Sequence, residues 1–246
     1  MGTDQDWEKW GKSDPYFGVY SHAKYRANNL TKESLREFFA SGEEYVEALF
    51  SRIEGLFPEN TKPKHALDFG CGVGRLTKPL AKRCFKVTGL DISKSMITEA
   101  QKNCSEDKNV SFYLYSSSIR QEFDFVHTHL VLQHIHPRNG YTIIVDLLNA
   151  VTKNGLVVLH FPYKCNASRL IRFLVKLRYF FPILNVARNL IANRGAKEPP
   201  MQMHVYDLNY VVALMRRQGF SLVHQELESW DNIFEFTTVY ARKGEL

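Results

Sequence analysis

Long apolar runs are missing: no stretch of the 246 residues approaches the ~18–20 that a membrane-crossing helix needs. The opening Met1-Gly2-Thr3-Asp4-Gln5-Asp6-Trp7 lacks the basic-then-apolar order of a secretory signal. Cysteine is scarce, and Cys71, Cys84, Cys104 and Cys165 contain no C-x-x-C pair. They read as scattered reduced thiols, which makes a cytoplasmic protein the expectation. No Gly-Lys-Ser/Thr follows a glycine across a four-residue gap, which excludes a phosphate-binding P-loop. Acidic residues are wholly absent between 164 and 197. Internal repeats and low-complexity segments are absent as well.

What is present centres on Ala66-Leu67-Asp68-Phe69-Gly70-Cys71-Gly72-Val73-Gly74-Arg75-Leu76. A short apolar run reaches an acid, passes three alternate glycines and enters a segment with Leu76 and Leu80 at helical spacing. This pattern reads as a buried strand turning sharply into a helix. Glycine allows positive φ and close approach to bare backbone, and the helix start offers unpaired N–H groups, so the turn suits a nucleotide-like ligand. A dinucleotide fingerprint needs its third glycine at position 75, where this chain has Arg75. A nicotinamide oxidoreductase is disfavoured accordingly.

Phe85-Lys86-Val87-Thr88-Gly89-Leu90-Asp91 then reads as a second strand ending in an acid. A carboxylate at that point accepts hydrogen bonds from both ribose hydroxyls, although Asp91 alone would equally serve to cap the next helix. With Ile92-Ser93-Lys94-Ser95-Met96 following, and Glu122-Phe123-Asp124-Phe125-Val126 leading to Leu132-Gln133-His134-Ile135, the chain resembles the class I S-adenosylmethionine-dependent methyltransferases of the small-molecule type. The likeness runs from about Lys64 to Arg242, interrupted by the basic segment.

The resemblance implies S-adenosylmethionine as cofactor and an enzyme that transfers its methyl group by in-line displacement. It assigns cofactor binding to Asp68, Gly70, Cys71, Gly72, Gly74, Asp91, Ile92 and Met96, with Asp68 toward the amino end of the methionine and Ile92 and Met96 about the adenine. The fourth strand's end, His129-Leu130, lies under the methionine portion in that family. The third strand, Val110–Tyr115, departs from the pattern: where an Asp usually meets the adenine amino group, Ser117 and Ser118 are the substitutes. The rival reading is a catalytically silent S-adenosylmethionine-binding or sensing protein, which would keep Asp68 and Asp91 but lack an acceptor cavity.

His127, His129, His134 and His136 invite a metal site, and His127 and His129 point to one side of a strand. With no acidic or cysteine partner nearby, no metal is expected. His134 is a candidate general base, with loop packing or capping as the plainer role, and His204 is a second candidate. Tyr16, Tyr25 and Arg26 are expected to line the acceptor. Nucleic acid is not an expected partner, because Thr128-His129-Leu130-Val131 stands where base methylases carry Asn/Asp-Pro-Pro-Tyr/Phe.

The resemblance implies an α/β fold: a Rossmann-like, doubly wound sheet of seven strands, mostly parallel with a C-terminal antiparallel hairpin. Residues 1–62 form an N-terminal helical cap on a methyltransferase domain at 63–246. In the cap, Thr31-Lys32-Glu33-Ser34 starts one helix and a second begins near Ser41. A crossover helix is expected over Arg75–Cys84, and a fifth strand over Leu156–Phe161, stopped by Pro162. A helical insertion follows that strand at about 164–200. Between 164 and 197 lie eight basic residues, interleaved with Leu, Ile and Phe and broken by Pro182. Three readings remain open for it: a lid packed over the substrate mouth, a peripheral contact with a membrane surface or a lipid-like substrate, or recognition of an acidic acceptor.

Overall fold

A computed structural model describes residues 3–244, apart from 117, 120, 192, 193, 197, 230 and 231. Helices α1 (Thr3–Ser13) and α2 (Pro15–Val19) open the chain. Trp7 and Trp10, one helical turn apart, share a face of α1, so the aromatic-rich start is helical. Helix α3 (Lys32–Leu56) begins at a capping box: the Thr31 hydroxyl accepts from the Ser34 N–H, and the Ser34 hydroxyl accepts from the Thr31 N–H. It runs unbroken past Ser41, where two helices were expected. Gly42 does not interrupt it. A Cβ there would stand 2.3 Å from the Arg75 carbonyl oxygen, so this glycine lets the segment after the glycine turn cross the helix.

The α/β unit then alternates β1 (His65–Phe69), α4 (Thr77–Arg83), β2 (Lys86–Asp91), α5 (Lys94–Asn103), β3 (Val110–Leu114), β4 (Phe123–Thr128), α6 (Pro137–Asn149) and β5 (Val151–Cys165). Helix α4 starts at Thr77 rather than Arg75, which puts Pro79 in its first turn, where a missing N–H is harmless. Helices α7 (Arg169–Phe180), α8 (Pro182–Ile191) and α9 (Leu208–Arg217) follow, and β6 (Phe220–Ser229) and β7 (Phe234–Lys243) close the chain.

The seven strands lie in the order β3-β2-β1-β4-β5-β7-β6. Pairing is parallel from β3 to β5 and antiparallel at β5–β7 and β6–β7. Strand order reverses between β1 and β4, and the carboxyl ends of strands at such a switch point open a ligand crevice. Residues of β5 alternate between two cores: Val157 and Leu159 pack with Leu147, Tyr206 and Met215, while Leu156 and Val158 pack with Phe50, Ile53 and Leu80. Both sheet faces are therefore covered, which explains the unbroken apolar run.

Strand β5 is longer than expected at both ends. Asn154, just before the expected strand, sits at φ 60° inside the observed one, where the β4 pairing shifts register. Pro162 does not stop it. Past Leu159 the pairing with β4 has ended, and the β7 register shifts between Pro162 and Lys164, so the ladder asks nothing of the absent N–H. A third apolar cluster joins Trp10, Tyr16, Phe17, Tyr25, Phe38, Val73 and Met96, tying the N-terminal helices to the glycine turn and α5.

Candidate active site

The glycine turn is fixed by its neighbours. Gly70 and Cys71 both donate their N–H to the Leu90 carbonyl, at 2.7 and 3.0 Å, and Gly72 N–H donates to Asp91 Oδ2 at 2.9 Å. Gly70 and Gly72 stand at φ 76° and 53°, in the region glycine tolerates best. Their missing side chains also make room. A Cβ on Gly70 would lie 2.2 Å from a Val131 methyl, and one on Gly72 would lie 2.4 Å from a Val19 methyl. Val131 and Val19 are thereby drawn onto the turn and become walls of a cavity of about 280 Å³.

Gly74 serves another purpose. At φ 86° its open side faces Cys104 Sγ, 3.0 Å from an ideal Cβ, and it is not among the residues lining the cavity. Gly74, expected at the cofactor, thus packs the turn closely on α5.

Two carboxylates border the cavity. Asp68, almost fully buried, accepts the Thr77 hydroxyl at 2.6 Å on Oδ2, while His127 Nδ1 stands 3.5 Å from Oδ1. Tyr45 Oη lies 3.0 Å from the other His127 nitrogen. The Thr77 hydroxyl is thus the hydrogen-bond partner that fixes Asp68, and His127 is a close neighbour of its other oxygen. Asp91 is gripped by backbone N–H groups, from Gly72 on Oδ2 and Ser93 on Oδ1, both at 2.9 Å. Burial pushes its carboxyl up to about 6, against the pull of those two hydrogen bonds, and the Asp68 charge adds to the rise. The neighbouring helix is capped by Ser93, whose hydroxyl accepts from the Met96 N–H, so capping does not fall to Asp91.

Cys71, Ile92, Met96, His129 and Leu130 all line the same cavity. Leu130 sits at φ 62°, a sparsely populated conformation for such a residue and one that clusters at functional sites. Burial, the imidazoles of His160 and His127 and the charge of Arg75 keep the His129 ring neutral, well below its usual range. Ser117 lies outside the described residues. Ser118 is exposed and does not line the cavity, whereas Tyr115 and Ser116 do.

His134 lies in a 3₁₀ turn (Leu132–His134) and lines the cavity beside Asp68 and Gly72. Its Nδ1–H donates to the Gln202 carbonyl at 2.7 Å, which leaves the lone pair on Nε2. Burial brings its pKa down to about 4, the Gln202 bond resisting and nearby His204 assisting the fall. The Trp7 ring packs 4.8 Å away.

The four residues expected around the acceptor are placed elsewhere. Tyr16 is buried and donates to Glu99 at 2.9 Å, bracing α2 against α5. Tyr25 is buried edge-on to Phe38. Arg26 bridges Asp14 at 3.1 Å and Glu198 at 2.7 Å and covers the Phe17 ring. His204 stands behind His134: its N–H donates to the Gln133 carbonyl and its ring meets His136. None of the four lines the cavity. The walls that sequence reading missed are Asp4 and Trp7 of α1, Gly18 and Val19 of α2, and Asn139 and Ile143 of α6. Only the spacing of Trp7 and Trp10 hinted at the first pair. Among the described residues, no three His, Cys, Asp or Glu side chains are grouped to hold a metal ion.

The pattern of the family described as Methyltransferase domain matches residues 66–155. A ubiquinone biosynthesis O-methyltransferase of Coxiella burnetii is 35% identical over 79 residues, covering 30% of this chain and 34% of that protein. A 23S rRNA (uracil(1939)-C(5))-methyltransferase, RlmD, of Haemophilus parainfluenzae is 33% identical over 121 residues, covering 47% and 27%. The chain thus spans about a third or less of the length of these curated relatives. Magnesium protoporphyrin IX methyltransferase from Synechocystis PCC 6803, crystallised with S-adenosylmethionine, superposes with a TM-score of 0.63 at 16% identity, covering 99% of this chain and 98% of that one. At that identity the likeness is one of fold.

Proposed function

We propose that this chain is a class I S-adenosylmethionine-dependent methyltransferase that transfers the cofactor's methyl group to a small-molecule acceptor held beside His134. One observation carries the reading: a single cavity is lined by Asp91, Gly72 and Asp68 and also by His134, Ile135 and Asn139. A protein that only sensed the cofactor would have no use for the second group of walls.

The residues present fit the cofactor. Gly70 and Gly72 leave backbone bare at the turn, and Asp91 uses two of the roughly four acceptor sites of a carboxylate on backbone N–H groups, leaving others for ribose hydroxyls. Asp68, held by the Thr77 hydroxyl, offers a negative charge for an amino group. Ile92 and Met96 supply an apolar surface for a base, joined by Tyr115 and Ser116 in place of the serines expected there. Once bound, the cofactor would supply a methyl group already activated by sulfonium, so the protein's work is orientation and exclusion of water.

Trp7 and Ile143 give the acceptor end apolar walls, and Asn139 and His136 give it polar ones. His134 is neutral at pH 7, with Nδ1–H fixed on Gln202 and Nε2 free to accept a hydrogen bond from an acceptor hydroxyl or amine. So weak a base orients the nucleophile and takes up its proton only as charge develops. The relatives named for ubiquinone biosynthesis O-methylation make an oxygen nucleophile the first class to test. Helix α1 walls the cavity through Asp4 and Trp7, an enclosure that favours a small molecule over RNA.

Calorimetric titration with S-adenosylmethionine and its demethylated product, followed by turnover on a panel of phenols and amines, tests the reading. His134→Gln should lower kcat about 10²-fold or more while leaving cofactor affinity within a few-fold. Absence of binding heat at millimolar cofactor refutes the superfamily's chemistry here. Unchanged turnover in His134→Gln removes the histidine alone.

A further inference from the structure

Helix α8 is amphipathic in the inverted sense. Asn185 and Asn189, one turn apart, are buried, and their amides donate to the Glu198 carbonyl at 3.0 and 2.9 Å. On the opposite face Ile183, Leu190 and Ile191 are 76%, 62% and 88% exposed. A surface helix of a globular protein points its apolar side inward and its polar side to water. Helix α7 continues the pattern, with Leu170, Phe173 and Leu174 each more than half exposed beside the exposed cations Arg169, Arg172 and Lys176. Large contiguous apolar surface on a folded chain marks a place where something docks.

Charge identifies the occupant. Helices α7 and α8 carry Arg169, Arg172, Lys176, Arg178 and Arg188 and no acid. A second copy meeting this face with its own would bring like charges together, and an ordinary apolar protein groove would leave the cations unused. We propose that α7 and α8 dock on the surface of an anionic lipid bilayer, with their Leu, Ile and Phe side chains beneath the headgroups and Arg and Lys among the phosphates. The contact is peripheral: no helix among the described residues is long and apolar enough to cross a membrane. The position is suited to such a role. Lys176 is near enough for its charge to lower the His204 imidazole, and His204 packs on His136, which lines the cavity, so the docking face borders the acceptor end. An apolar acceptor dissolved in the bilayer would have a short path to His134.

Vesicle co-sedimentation of the full chain without cofactor tests docking separately from methyl transfer. Vesicles of phosphatidylcholine and phosphatidylglycerol at about 7:3 should retain the protein, pure phosphatidylcholine should hold it at least about tenfold more weakly, and salt should release it. Leu190→Glu with Ile191→Glu, and separately Arg169→Glu with Arg172→Glu, should each lower partition about tenfold or more. Both pairs change exposed side chains, and an unaltered thermal melt with unaltered cofactor titration verifies their fold. The proposal is overturned if the wild type ignores anionic vesicles or if both folded variants partition like it. It is overturned equally if light scattering finds a dimer that Leu190→Glu with Ile191→Glu converts to monomer.

Discussion

At the scale of single residues, three glycines at alternate positions separate into two jobs. Gly70 and Gly72 hold open the cavity, because side chains there would run into Val131 and Val19. Gly74 faces α5 instead. Gly72→Val should therefore abolish cofactor heat in calorimetry and also lower stability, since a β-branched residue at φ 53° is strained by about 1–3 kcal/mol. Gly74→Ala carries a comparable strain at φ 86° and crowds Cys104, so it should lower the denaturant midpoint while cofactor affinity stays within a few-fold. Equal loss of affinity in the two variants would contradict the division.

Among elements, α1 is the one whose attachment decides whether the cavity is roofed. Glu8 spans the start of α5, accepting the Ser95 N–H at 3.1 Å and the hydroxyls of Ser95 and Ser93 at 2.7 and 2.8 Å. Burial works to raise its carboxyl, but these bonds outweigh burial and hold it down to about 2. The latch is thus ionised across the working pH range, present above the carboxyl's ordinary value and lost only in strong acid. Glu8→Ala leaves the Ser95 N–H and two hydroxyls without this acceptor. It should weaken cofactor binding several-fold through loss of the Trp7 wall and lower stability by about 0.5–2 kcal/mol, the range of a lost helix cap. Affinity equal to wild type would mean that α1 stays in place without Glu8. This latch also shows where sequence reading ends. The glycine turn and Asp91 were legible because their demands are local: positive φ, and a strand ending in an acid. Trp7 reaches the site only through packing of α1 on α5, where Glu8 meets Ser93 and Ser95 more than eighty residues away in sequence. Tyr16 and Arg26 had the right chemistry for an acceptor wall, yet their partners Glu99, Asp14 and Glu198 drew them into structural bridges. Pro162 failed as a stop signal because it falls where the strand pairing already shifts.

For the molecule as a whole, the cavity takes walls from Asp4 to Ile143, so a bound cofactor stabilises the fold by RT ln(1 + [L]/Kd), about 2.7 kcal/mol at a hundredfold excess over Kd. Asp91 makes that gain depend on pH. In the ligand-free fold its pKa is raised from 3.8 to about 6, so between those values the folded state keeps a proton that the unfolded chain has lost. Its contribution to the stability of the free protein is complete below about 3.8 and disappears as pH rises through about 6. Ribose hydroxyls donating to the carboxylate favour the ionised form and reverse that loss. Cofactor affinity should accordingly be flat above about pH 6 and fall toward tenfold per pH unit below it, with a proton released on binding. His134, His160 and His204, each brought down to about 4, are neutral in the upper part of this window, where the carboxylate titrates. The melting-temperature increment at saturating product should be clearly larger at pH 7.5 than at pH 5, a difference in which groups unaffected by the ligand cancel. Asp91→Asn should flatten the dependence and lower affinity at every pH. An increment independent of pH in the wild type would mean that Asp91 does not hold the ligand.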